Sequence, residues 1–162
     1  MTNRDDIADS VNEVDRVLKA GETEKAIVLA RGLVDRFDSS ASAWSQLGFV
    51  LGRIGNFAES VNAYSRAIDL EPEEPVYYWN RGRIYLRWEK PADAVGDFTE
   101  ALDLSQKHGS DYYVEMLRLL RAEAFVRLGR CAEARRDCEY VGSETAIWVD
   151  RQISKSLVLK RC

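Results

Sequence analysis

The sequence predicts an all-α fold, a superhelical solenoid of three to four helical hairpins closed by a C-terminal capping helix. Three observations carry that prediction. The chain overlays on itself at a step of 34 residues, its apolar residues recur at helical spacing, and glycine or proline punctuates each run. At that step Gly48 falls on Gly82, Arg53 on Arg87, Val61 on Val95, Tyr64 on Phe98, Ala67 on Ala101 and Leu70 on Leu104. A further step of 40 carries Arg87 to Arg127, Ala94 to Ala134 and Phe98 to Cys138. A fixed period in this range marks a stacked array, in which one supersecondary unit buries its apolar face against its neighbours.

The elements follow in order. Residues 1–6 read as a short tail, and 7–142 as the array, with repeats at about 7–40, 41–74, 75–108 and 115–142. In the first repeat Val14 and Val17 sit on one helix, Gly21 turns the chain, and Thr23 is placed to cap a helix bearing Ala26, Ile27, Ala30 and Val34. In the second, Trp44, Leu47, Gly48 and Leu51 share one helical face. Gly55 suits a left-handed turn and Asn56 a helix cap, before Phe57, Val61, Tyr64 and Ile68 form the next buried stripe. Pro72 ends that helix. Pro75 and Pro91 open the two helices of the third repeat, at the position where a missing N–H costs nothing. An insertion around Gln106–Ser110 precedes the fourth, whose first helix is expected from near Asp111 to Leu128. After Gly142, Ser143 would cap a last amphipathic helix over 143–162 bearing Ile147, Trp148, Ile153, Leu157 and Val158.

The run Trp44, Leu47–Gly48, Leu51, Gly55, Phe57, Tyr64, Ala67 and Pro72 resembles the tetratricopeptide repeat. Tyr78, Gly82, Tyr85, Ala94, Phe98 and Ala101 repeat it, with Arg81 where leucine is usual and Glu89 in place of the turn glycine. The small residues let helices cross closely: Gly48 and Ser60, or Gly82 and Ala94, within a hairpin, and Ala67 and Ala101 toward the next repeat. The resemblance implies that the first helix of each repeat lines a concave groove that binds a protein or peptide.

Composition narrows the function. A net charge of -4 and a pI near 5.2 argue against nucleic acid, which requires cationic surface. No stretch approaches the roughly 20 apolar residues of a membrane span, so no membrane role is expected. The start, Met1 to Asp6, lacks the apolar segment of a signal peptide, and three cysteines suggest no disulfide framework. The expectation is a cytoplasmic, reduced protein, with Cys131 and Cys138 as packed core thiols and Cys162 exposed. His108, the single histidine, stands in the insertion without ligand partners. Phosphate-cradling glycine loops, nucleophile elbows and zinc motifs are missing, so no catalytic residue, metal or cofactor is assigned.

What remains is the groove. Its candidate contacts are Lys19, Gln46, Phe49, Arg53, Trp79, Asn80, Arg83, Arg87 and Arg127. The fourth repeat adds Leu119, Leu120, Glu123 and Val126. Phe49 and Trp79 are aromatics that internal packing does not require, and Lys19, Arg53, Arg87 and Arg127 form a basic ladder with one step per repeat. Together they point to an acidic partner segment with an apolar anchor. Some members of the family grip a chaperone's terminal carboxylate with lysine and asparagine. Here Val11, Asp15, Gln46, Val76 and Asn80 stand at those positions, and only Asn80 is a typical clamp residue. The function expected is an interaction module, adaptor or chaperone-like. The alternative is a self-associating scaffold, because residues 1–74 carry net -6 and residues 75–162 net +2.

Overall fold

The computed structural model describes residues 3–109 and 113–162 and divides into two compact units, Met1–Pro72 and Glu73–Cys162. The first unit holds α1 (Asn3–Lys19), α2 (Thr23–Arg36), α3 (Ala41–Arg53) and α4 (Phe57–Leu70). The second holds α5 (Pro75–Arg87), α6 (Pro91–Lys107), α7 (Val114–Arg127) and α8 (Cys131–Glu139). A hairpin of β1 (Ala146–Trp148) and β2 (Gln152–Ser154) follows, then α9 (Lys155–Lys160). In each unit two helical hairpins stack, with α2 against α3 and α6 against α7. The predicted α-α repeat architecture is present.

Close approach within each hairpin has a specific cause. A Cβ built on Gly48 would stand 2.9 Å from the ring of Tyr64, and one on Gly82 would stand 2.7 Å from Phe98. Each glycine is the floor on which the aromatic ring of the paired helix lies. Ser60 Oγ also donates to the Gly48 carbonyl at 2.6 Å. Gly21, Gly55 and Gly129 turn the chain with positive φ, and Glu89 takes the same left-handed conformation (φ 56°) where the pattern calls for glycine.

Several expectations need correction. Helix α1 begins at Asn3, through positions read as a tail, with Asp5 and Asp6 in its first turn complementing the helix dipole. Thr23 is the first residue of α2 and not its cap, and its Oγ1 donates to the Gly21 carbonyl; Asn56 does stand at the N-cap of α4, but its side chain donates through Nδ2 to Glu59 and makes no capping bond. Part of the insertion is absorbed by α6, which runs on to Lys107. The expected helix start near Asp111 lies outside the described residues, and α7 begins at Val114.

The largest correction is at the C-terminal end. In place of one helix over 143–162, residues 146–154 form an antiparallel hairpin with Ile147 opposite Ile153, and only Lys155–Lys160 is helical. The run Ile147–Trp148–Val149 is β-branched and aromatic, Asp150–Arg151 suits a turn, and Ile147 and Ile153 sit too far apart for one helical stripe. The cap is Ser154, which accepts from Leu157 N. A disulfide joins Cys131 to Cys162 with a Cα–Cα distance of 5.3 Å, so those cysteines are neither a free core thiol nor a free terminal one. Cys138 is the buried free thiol.

Candidate partner-binding site

The first helices of the repeats are α1 and α3 in the first unit, and α5 and α7 in the second. On the first pair, Phe49 is 39% exposed although it lies between the buried Gly48 and Val50. Lys19 and Arg53 are exposed, and neither forms an ion pair among the described residues. Gln46 is different: it is buried and donates through Nε2 to Asp15 Oδ1 at 2.6 Å, tying α3 to α1. Phe49 and Arg53 thus stand one turn apart on α3, both exposed, with the exposed Lys19 at the end of α1.

The second unit treats the same positions otherwise. Trp79 is half-buried, its ring packed 4.6 Å from that of Tyr113 and tilted 41° to it, so it packs internally. Arg83 lies over the Trp79 ring and donates to the Trp148 carbonyl at 3.4 Å. Arg127 is held by Glu123 at 2.8 Å, by the Leu86 carbonyl at 2.7 Å and by Asp150 at 3.4 Å. Asn80 and Arg87 are half-buried on α5. The basic ladder is thus divided: its lower steps face solvent and its last is engaged within the protein.

What engages it is the segment after α8. Strands β1 and β2 and helix α9 lie on α7, and Ile153 and Val158 are buried in one cluster with Leu119 and Leu120. Glu123, read from the sequence as a groove contact, is 1% exposed at the centre of this cover. Its carboxylate accepts from Arg127, from Arg151 at 2.6 Å and from Arg161 at 2.5 Å, the last two belonging to the cover itself. Burial alone would push this carboxyl up, but the three arginines outweigh that effect and hold it below the usual carboxylate range.

Sequence reasoning did not single out Arg151 and Arg161 as partners of Glu123. A signal was present, since Leu117, Leu119, Leu120, Ala122, Ala124 and Phe125 of α7 spread round the helix in place of gathering on one face. A helix with apolar residues on every side needs cover beyond a single packed neighbour, and its interleaved charges need partners. Also missed were the buried pairs of Arg81 with Asp97 and of Arg121 with Asp137, each bidentate at 2.7–2.9 Å. They stand 40 residues apart, one repeat step, so the period that carries Arg87 to Arg127 carries these as well. Among the described residues no group of histidine, cysteine or carboxylate side chains gathers to hold a metal, and no helix is long and apolar enough to cross a membrane.

Paired helices recurring at one spacing, with glycine floors under aromatic rings, define a helical-repeat protein of the protein-interaction class. Two family models match, a TPR repeat over residues 53–87 and a tetratricopeptide repeat over 75–108. Residues 53–108 of the chain thus carry tetratricopeptide repeats. The chain is 37% identical over 86 residues to serine/threonine-protein phosphatase 5 of Homo sapiens, a match covering 53% of this chain and 16% of that protein. The chain thus corresponds to about a sixth of that relative's length. Among solved structures, the MamA protein superposes with a TM-score of 0.70 at 19% identity, over 82% of this chain and 69% of that one. The first TPR of Spaghetti (RPAP3) bound to the HSP90 peptide SRMEEVD superposes with a TM-score of 0.56 at 27% identity, over 62% and 75% respectively.

Proposed function

We propose that the chain is an adaptor or chaperone-like module that holds an acidic partner segment on the face of α1 and α3. The observation that carries this reading is Phe49, an exposed aromatic on a first helix, with Arg53 one turn on and Lys19 at the end of α1, both exposed and in no ion pair among the described residues. An aromatic anchor beside guanidinium and ammonium groups suits an apolar side chain between carboxylates. The peptide seen on the Spaghetti repeat, SRMEEVD, has that chemistry.

The mode of capture would differ from a terminal-carboxylate clamp. Asp15 and Gln46 bond to each other at the positions where such a clamp would stand, and Asp15 repels a terminal carboxylate. Recognition then falls on internal acidic residues of the partner. Fluorescence anisotropy with SRMEEVD, free or amidated at its C-terminus, tests the reading. Both forms should bind, with salt weakening both, and Phe49→Ala with Arg53→Glu should abolish binding while circular dichroism stays unchanged. Binding of neither form, or binding indifferent to the double substitution, would overturn it.

A further inference from the structure

The cover on α7 is built like a bound ligand. Its apolar residues Ile153 and Val158 are buried in the α7 cluster, while Trp148 and Leu157 on the same segment point outward at 69% and 44% exposure. Both of its arginines that reach α7 converge on one receptor group, Arg151 and Arg161 donating to Glu123, while its Asp150 accepts from Arg127. Main-chain contacts complete it, from Arg83 to the Trp148 carbonyl and from Arg135 to the Cys162 carbonyl at 3.0 Å. At its start, Glu115 accepts from Gly142 N and Thr145 Oγ1, while Lys155 Nζ donates to the Val141 carbonyl. A single covalent tie, Cys131–Cys162, fixes its far end to the start of α8.

We propose that residues 143–162 are an internal ligand for the α7 face, that Glu123 makes this face a receptor for an arginine-bearing segment, and that the Cys131–Cys162 disulfide latches the ligand in place. The inference rests on the reading of first-helix faces as partner surfaces. It adds that the two units take opposite chemistry, acidic segments on α1 and α3 and guanidinium-bearing ones on α7. The latch opens by thiol–disulfide exchange with a dithiol. One thiolate of the dithiol attacks a sulfur of the bridge, the S–S bond breaks, and the departing cysteine takes up a proton. The second thiolate of the reagent then closes on the mixed disulfide, releasing the other cysteine and leaving the reagent oxidised to a cyclic disulfide. With the bridge closed, the ligand is tethered at both ends and an incoming segment competes against a very high effective concentration. With it open, one end is free to lift.

The full chain tests this in oxidised form, after dithiothreitol, and as Cys162→Ser. Hydrogen exchange at the amides of β1 and β2 should quicken by about tenfold or more on reduction or in Cys162→Ser, while α5 and α6 amides keep their protection. Equal protection of the hairpin in all three forms would overturn the latch. A labelled peptide of residues 143–161 should be captured by the Cys162→Ser chain and excluded by the oxidised one. The same peptide with both arginines changed to glutamate should not be captured. Capture by the oxidised chain, or no dependence on the peptide's arginines, would overturn the receptor assignment. Because SRMEEVD binding is read on the first unit, its failure is distinguishable from either outcome.

Discussion

The second repeat and the two that follow it solve the same packing problem with opposite materials. In the first unit Leu47 and Ala63 meet within one apolar cluster. One step of 34 residues later those positions are Arg81 and Asp97, and a further 40 on they are Arg121 and Asp137. Asp137 is approached by Arg118 as well, at 3.4 Å. The difference shows that the period specifies helix geometry and leaves the chemistry of the seam free. It also changes the meaning of the charge asymmetry. The excess arginines of the second half are engaged by Asp97, Asp137 and Glu123 inside their own unit, so net charge there does not describe a surface offered to a partner.

The largest effect should come from breaking one of these seams. Asp97→Ala leaves the Arg81 guanidinium, 19% exposed, without its carboxylate, and loss of one partner of a buried pair costs about 3 kcal/mol. Arg81→Leu combined with Asp97→Ala installs the pair used in the second repeat, and should return stability to within about 1 kcal/mol of the starting protein. Urea denaturation of the single and double variants measures both. A double variant no more stable than the single one would mean that the charged seam cannot be exchanged for the apolar one.

Next are the glycine floors, where the two units agree. Alanine at Gly48 or Gly82 places a methyl group within 3 Å of a buried ring, and overpacking of that kind costs about 1–3 kcal/mol. Gly96 lies on α6 with open space at its Cβ position, so Gly96→Ala should stabilise by up to about 1 kcal/mol. Melting temperatures of the three variants should therefore separate in sign, whatever unit they belong to.

How much of this was legible in the sequence follows the same division. The helix pairs were readable because Gly48, Gly55, Tyr64 and Ala67 recur at one spacing, and because Pro75 and Pro91 can only stand in a first helical turn. The exposure of Phe49 and Arg53 was readable too, since both fall outside the buried positions of α3. The second-unit face was not. Nothing within one repeat says that Arg127 bonds to the Leu86 carbonyl, or that segment 146–161 returns to α7. Those contacts join residues more than 20 apart with no shared period, and a hairpin of three-residue strands leaves a weak alternation signal.

A pH titration sharpens the comparison at Glu123, the buried carboxylate whose partners come from the cover. Its folded-state pKa is depressed below the ordinary glutamate value of about 4.3. The stabilisation it contributes is therefore present above that ordinary value and is lost as pH falls through the folded one. The hairpin should stay docked in mild acid, where exposed glutamates are already taking up protons, and exchange freely only further down. Glu123→Gln removes that dependence, leaving the acid limb of the hairpin's stability flatter, while the acid response of the first unit, where no carboxylate among the described residues is buried, should not change. Hairpin amide exchange followed from neutral pH downward reads the difference. An identical acid limb in Glu123→Gln would show that Ile153 and Val158, and not the arginine–carboxylate cluster, hold the cover in place.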